Sequence, residues 1–189
     1  MIPNNADDKS EDKSMTQPLG TIRQLAYVVK DMNTALDYWI NTLGARPFFT
    51  MEHAALENQK YYGEPTNADI SVALGNSGDL QIELIVQHNE AKSVYKDFLE
   101  AGRQGVHHIA LMPEDYAATH AQYLSSGHKP AFELSLGGAP VVYFDTLDKV
   151  GHYIELWDNS SVFKDMFLLV EDAAKNWDGS NPVRPMPLG

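Results

Sequence analysis

Residues 22–31, Ile-Arg-Gln-Leu-Ala-Tyr-Val-Val-Lys-Asp, and residues 106–115, Val-His-His-Ile-Ala-Leu-Met-Pro-Glu-Asp, are two versions of one segment. Aligning Gln24 with His108 also aligns Ala26 with Ala110 and Asp31 with Asp115. Each copy then runs into a helical stretch that stops at a glycine, Gly44 in one and Gly127 in the other. A second echo closes each half: Gln81-Ile82-Glu83-Leu84 and Tyr153-Ile154-Glu155-Leu156. An internal repeat constrains the fold more than any composition does, because each copy is one supersecondary unit whose open face needs the other copy to cover it.

Strand periodicity shows where the polar members of the repeat point. Successive side chains on a strand alternate between faces, so Leu25, Tyr27 and Val29 share one face while Gln24, Ala26 and Val28 share the other. Ile109 and Leu111 are expected to pack under helices, with His108 and Ala110 facing away. In the closing strands Ile82 and Leu84 oppose Glu83, and Ile154 and Leu156 oppose Glu155. The predicted fold class is therefore α+β, two tandem βαβββ modules whose sheets form an open cup. Gln24, Glu83, His108 and Glu155 all stand on its helix-free face.

Asp31 or Asn33 can cap the first helix, whose apolar residues Ala35, Leu36, Trp39, Ile40 and Leu43 recur at helical spacing; its counterpart runs from about Asp115 to Ser126. Strands are predicted at Ile70–Leu74, Leu80–Gln87, Val106–Met112, Ala131–Leu134, Pro140–Asp145 and His152–Trp157. The modules span about 19–88 and 106–158, joined by a linker helix at about 90–103. Residues 51–67, with His53, Tyr61 and Tyr62, read as a long loop over a pocket, a usual place for substrate contacts. Residues 1–18 are polar and aperiodic and read as a disordered leader, with Met15 as an alternative start. Residues 159–189 form a C-terminal helix and an extended Pro-rich tail that can lie on a partner subunit. The helix carries an apolar stripe of Phe163, Met166, Phe167, Val170, Ala173, Ala174 and Trp177, the mark of core or of a homodimer surface.

With 189 residues and 43% hydrophobic content, the chain can build one good core. A net charge of −12 argues against nucleic acid as a partner, since phosphates would be repelled. No apolar run approaches a membrane span, and the absence of cysteine suits a reducing cytoplasm. The expectation is a soluble cytoplasmic protein that acts on a small-molecule substrate.

These residues resemble the vicinal oxygen chelate superfamily of glyoxalases, bleomycin-resistance proteins and extradiol dioxygenases, over roughly residues 20–158. The resemblance implies that the first and last strands of each module each supply one ligand to a divalent metal, at the positions of Gln24, Glu83, His108 and Glu155. A Gln, Glu, His, Glu set is similar to that of eukaryotic-type glyoxalase I, whereas methylmalonyl-CoA epimerases usually have His in place of Gln24. Glyoxalases carry an Arg four residues after the first ligand to grip glutathione; here Val28 stands there, so glutathione is not the expected co-substrate.

One imidazole, one amide oxygen and two carboxylates suit an octahedral Zn, Ni, Co, Mn, Fe or Mg ion, and leave two positions for a substrate's adjacent oxygens. Such an ion stabilises the charge that develops when a proton leaves the carbon next to a carbonyl. The resemblance nominates Glu155 as base as well as ligand, with Glu83 as its catalytic partner. The reading is a metal-dependent isomerase, epimerase or lyase. Two alternatives stay open: a metal-free binding protein of the bleomycin-resistance kind, and an extradiol dioxygenase, which would need a second His on the ligand face. His107 has the opposite parity to His108 and reads as a helix-side or edge residue. His152 reads as structural, and His53, His88, His120 and His128 have no spacing relation to the set.

Overall fold

Both repeats turn from strand to helix through the same cap. The Asp31 carboxylate accepts from the Thr34 amide at 2.7 Å, and that of Asp115 from the Ala118 amide at 2.9 Å, each satisfying a donor that the first helical turn leaves open. The computed structural model describes residues 20–187, so the expected leader lies outside the described residues. The first module comprises β1 (Thr21–Val28), α1 (Met32–Asp37) with a π-helical turn at Tyr38–Thr42, β2 (Phe48–Met51), the short β3 (Glu57–Tyr61) and β4 (Glu64–Pro65), β5 (Ile70–Ser77) and β6 (Leu80–Gln87). α2 (Val94–Glu100) leads to β7 (Gly105–Met112), α3 (Tyr116–Ser125), β8 (Pro130–Leu136), β9 (Ala139–Phe144), α4 (Leu147–Val150) and β10 (Tyr153–Trp157). α5 (Ser161–Lys175) and β11 (Val183–Pro185) follow.

Each module is a four-stranded sheet in which the last strand returns parallel to the first: β6 beside β1, and β10 beside β7. The two first strands, β1 and β7, then pair antiparallel and fuse the modules into one sheet of order β11-β2-β5-β6-β1-β7-β10-β9-β8-β3-β4. The outer face packs under helices as the alternation requires. Leu36, Ile40, Ile82 and Leu84 bury together on one side, and Leu111, Tyr123, Phe144 and Leu156 on the other.

The β1–β7 register is interrupted twice. Ile22 faces Leu111 and Gln24 faces Ala110, which leaves Arg23 as an extra residue on β1; Ala26 faces His108 and Tyr27 faces Val106, which leaves His107 as an extra residue on β7. Arg23 and His107 occupy equivalent places in the repeat, so the duplication carries a β-bulge one residue before each first-strand site residue. A bulge bends its strand and re-aims a side chain.

The cup is less open than the repeat alone suggests. The segment expected as a loop at 51–67 instead crosses to the far edge of the sheet, where β3 pairs with β8. Its tyrosines are anchors there: the Tyr61 hydroxyl donates to Asp97 at 2.6 Å and that of Tyr62 to Asp145 at 2.8 Å. The stripe on α5 is spent within the chain, because Phe163 and Phe167 are buried in the same cluster as Leu134, Tyr143 and Trp157. Val170 is buried as well, while Met166, Ala173, Ala174 and Trp177, the rest of the stripe, stay half-buried. The Pro-rich tail likewise stays with its own chain, as β11 adds parallel to β2. Among the described residues no helix is long and apolar enough to cross a membrane.

Gly75, opposite Ile82 on β5, admits the ring of Phe48, whose atoms lie 2.8 Å from where a Cβ would be. Since Phe48 is fully buried and has nowhere to retreat, Gly75→Ala is expected to cost about 1–3 kcal/mol in urea denaturation.

Candidate metal centre

The inner face of the sheet carries two adjacent rows across its middle. In one, Gln24, Ala110 and Glu155 are paired neighbours on β1, β7 and β10; in the other, Glu83, Ala26 and His108 are neighbours on β6, β1 and β7. Each row thus holds two polar side chains with an alanine between them, their backbones two strand spacings apart, or roughly 9–10 Å. Ala26 and Ala110 are buried and leave the space between the rows free of side chain.

Three of the four residues converge tightly. His108 Nε2 lies 3.1 Å from Glu155 Oε2 and 3.3 Å from Glu83 Oε2. One donor atom of each falls within 4.8 Å of the other two. Gln24 is fully buried on the same face, where its amide Nε2 donates to Gln81 Oε1 at 2.9 Å. That hydrogen bond holds the amide and leaves Gln24 Oε1 without a partner. Glu83 Oε2, His108 Nε2 and Glu155 Oε2 are also buried without a well-aligned hydrogen bond. Buried polar atoms are almost always paired, so four orphans on four neighbouring side chains mark a place built for something else. Two donors about 2.1 Å from one ion at right angles stand about 3.0 Å apart, close to the separations seen here. The residues present fit a divalent cation.

Burial by itself would push the His108 imidazole down, but the Glu155 carboxylate and then Glu83 outweigh it and hold its pKa at about 9. Burial raises Glu83, and His108 offsets part of that rise. The proton on His108 therefore does, in the metal-free protein, part of what a cation would do: it offsets the charge of two carboxylates that face one another out of water.

His107 is the functional candidate that strand alternation missed. The bulge turns it inward, fully buried, with its ring 4.9 Å from that of Tyr153 and 5.3 Å from that of Tyr95. Its Nε2 lies 3.2 Å from the Val94 carbonyl, which can only accept, so that nitrogen carries the proton. Burial, and then the charge on His108, push its pKa well below the usual imidazole value, so its Nδ1 is a bare acceptor. His108 Nδ1, 2.9 Å away, must donate to it. The chain Val94 C=O, His107, His108 thus commits the Nδ1 proton of His108 and leaves Nε2 as the nitrogen that faces the two glutamates, where it holds the extra proton in the metal-free protein and could offer a lone pair to a cation once that proton leaves. The signal in the sequence was the pair of adjacent histidines together with the equivalent Arg23, but a bulge cannot be seen in a period of two. The remaining histidines lie elsewhere: His53 bonds Asp69 at 2.8 Å, His88 bonds Ser71 at 2.6 Å, and His152 Nδ1 contacts the Tyr153 carbonyl.

A model of the glyoxalase/bleomycin resistance protein/dioxygenase superfamily matches residues 23–143. The chain belongs to this superfamily. No curated protein sequence matches it significantly. Among solved structures, a hypothetical protein from Bacillus halodurans C-125 is similar at a TM-score of 0.55 and 16% identity, over 74% of this chain and 94% of that one. Methylmalonyl-CoA epimerase from Mycobacterium tuberculosis is similar at 0.53 and 19%, over 76% and 91%. A Streptomyces coelicolor methylmalonyl-CoA epimerase variant in complex with 2-nitronate-propionyl-CoA is similar at 0.50 and 19%, over 76% and 96%. At these identities the likeness is one of fold.

Two outcomes are expected of the centre. A group whose pKa is raised on folding stabilises the folded state fully below its unfolded value and loses that contribution as the pH passes its folded value. The metal-free protein should therefore lose roughly 3 kcal/mol, the worth of His108, between pH 6.5 and about 9. Denaturation of chelator-treated protein across that range is the check. His107→Phe keeps an aromatic ring but removes the acceptor for His108, and is expected to weaken Zn²⁺ binding by about 10–100-fold in calorimetry. The His108 ring ¹⁵N shifts should change in the same variant without metal.

Proposed function

We propose that this chain is a divalent-metal-dependent enzyme of the isomerase, epimerase or lyase type, acting by proton abstraction next to a carbonyl. The observation that carries the reading is the set of four buried donor atoms on Gln24, Glu83, His108 and Glu155, none of them in a well-aligned hydrogen bond and three of them within 4.8 Å of one another. Zn, Ni, Co, Mn, Fe and Mg all accept such a set. When bound, the ion supplies Lewis acidity to a substrate oxygen. Two carboxylates against a dication make the centre neutral before the substrate enters.

Glu155 is the base in this reading. It takes the proton from the carbon beside the carbonyl while that carbon's electron pair moves toward the carbonyl oxygen. Return of that proton from Glu155 to the neighbouring carbon, with the hydroxyl proton of the first carbon passing to the former carbonyl oxygen, gives an isomer. Delivery to the first carbon of a second proton, carried by a protonated Glu83 on the other side, gives the epimer and leaves Glu155 protonated and Glu83 ionised. The Tyr143 hydroxyl assists Glu155. Burial, then the charge of Glu155, raise its pKa far above the ordinary phenol value, so it stays protonated. It also accepts from the Tyr95 hydroxyl at 2.9 Å, which fixes its oxygen. The walls around the glutamates are apolar and exclude water from the reacting carbon.

The alternative of a metal-free binding protein differs from this reading in one observable, the metal content of protein purified without chelator. Glu155→Gln is expected to keep part of the metal, because an amide oxygen still coordinates, and to lose about 10²-fold or more of the rate of solvent deuterium exchange into hydroxyacetone. His108→Ala should lose the metal itself, since it removes the one imidazole of the set. Elemental analysis and proton NMR of the two variants give both readouts. Wild-type exchange in Glu155→Gln would move the base to Glu83.

A further inference from the structure

The glutamates floor a cavity of about 50 Å³. At roughly 10–15 Å³ of such space per water, it holds about three to five waters, far less than the ~300–1,000 Å³ of a pocket for a drug-sized ligand. Apart from Glu83, Glu155, Tyr95 and Tyr143, its lining is entirely aliphatic, aromatic, alanine or methionine, and no lysine or arginine is among these residues. A carboxylate or phosphate on the substrate would leave water with no counter-charge, since a dication is already balanced by two carboxylates, and burying such a charge costs several kcal/mol.

The far wall belongs to α5. Phe163, 2% exposed, stacks on Trp157 with ring centroids 5.0 Å apart, and Met166 lines the cavity beside it. The helix is held on the cup by Phe167, whose ring lies 4.8 Å from Trp157 and 5.5 Å from the bulged Arg23 guanidinium, and Arg23 also reaches Glu171 at 3.9 Å. Trp157 follows Glu155 by two positions on β10 and so faces the same way. Its indole Nε1 is buried without a partner, an uncharged donor on the cavity wall.

We propose that this cavity admits only a short, uncharged substrate, and that Phe163 of α5 sets the limit on its length. The inference rests on the metal-dependent reading above. In that reading the substrate's oxygens face the glutamates, where a bound ion would hold them, and its apolar end lies against Val72, Leu134 and Phe163.

Cobalt-loaded protein tests this with three hydroxamic acids that share one chelating head: acetohydroxamic acid, benzohydroxamic acid and the monohydroxamic acid of succinic acid. Titration is followed in the visible spectrum of Co²⁺. Acetohydroxamic acid is expected to bind about tenfold or more tighter than the other two, one excluded by size and the other by its carboxylate. Phe163→Ala should bring benzohydroxamic acid to within about threefold of acetohydroxamic acid while the carboxylated acid stays weak; Phe163→Leu, a milder change to the same wall, should move it part of the way. Protein that takes up no Co²⁺ overturns the metal reading and this inference with it. Co²⁺ that binds, followed by equal affinity for the three acids or by an unchanged ranking in both Phe163 variants, overturns the substrate class alone.

Discussion

The antiparallel pairing of β1 with β7 is the contact on which the rest of the molecule depends. Each module alone is a four-stranded sheet with an unpaired first strand, and a bare strand edge is a row of open hydrogen-bond groups. Pairing the two first strands satisfies both edges at once. It also places Gln24 and His108, which are equivalent in the repeat, on either side of the seam. Because the last strand of each module lies parallel to its first, Glu83 and Glu155 arrive on the same inner face from opposite sides. Alanines at 26 and 110 keep the seam clear between them. The site is the product of a repeat paired with itself.

That arrangement puts two carboxylates and an imidazole out of water, which is expensive unless the charges are balanced. Without metal the balance comes from a proton held on His108. A dication would meet the same need with twice the charge and would satisfy the four donor atoms together. Proton and metal would then compete for one place, and the competition would couple metal affinity to pH and to folding. His107 belongs to this balance although it is not a ligand: by presenting a bare Nδ1, it ensures that His108 turns its other nitrogen toward the glutamates.

Closure of the cup comes from parts of the chain outside the repeat. The β3–β4 hairpin leaves the first module and completes the edge of the second, while α5 lies across the inner face with Phe163 and Phe167 against Trp157. Phe163 and Met166 of α5, with Ala54 and Leu56 just before the hairpin, add apolar walls to the space above the glutamates. A site open to water would dilute the electrostatics of the centre, whereas an enclosed one strengthens them. The duplicated modules thus bring the donor set together, and the segments outside the repeat shape what can reach it.

The sequence by itself determined the duplicated architecture, the strand faces and the inner-face placement of Gln24, Glu83, His108 and Glu155. Those features are periodic, and alternation along a strand needs no knowledge of distant residues. Asp31 and Asp115 were legible as caps for the same reason, since a cap is a local bond. What tertiary structure alone decided was non-local or broke the period. His107 points inward because a β-bulge interrupts the alternation opposite Ala26 and Tyr27, and a bulge exists only relative to a partner strand. Residues 57–65 are a hairpin because β8 offers them an edge. The stripe on α5 reads equally as dimer surface or as core, since apolar spacing records that a face is buried but not by what; it took the folded cup, with Trp157 waiting at its mouth, to choose this chain's own interior.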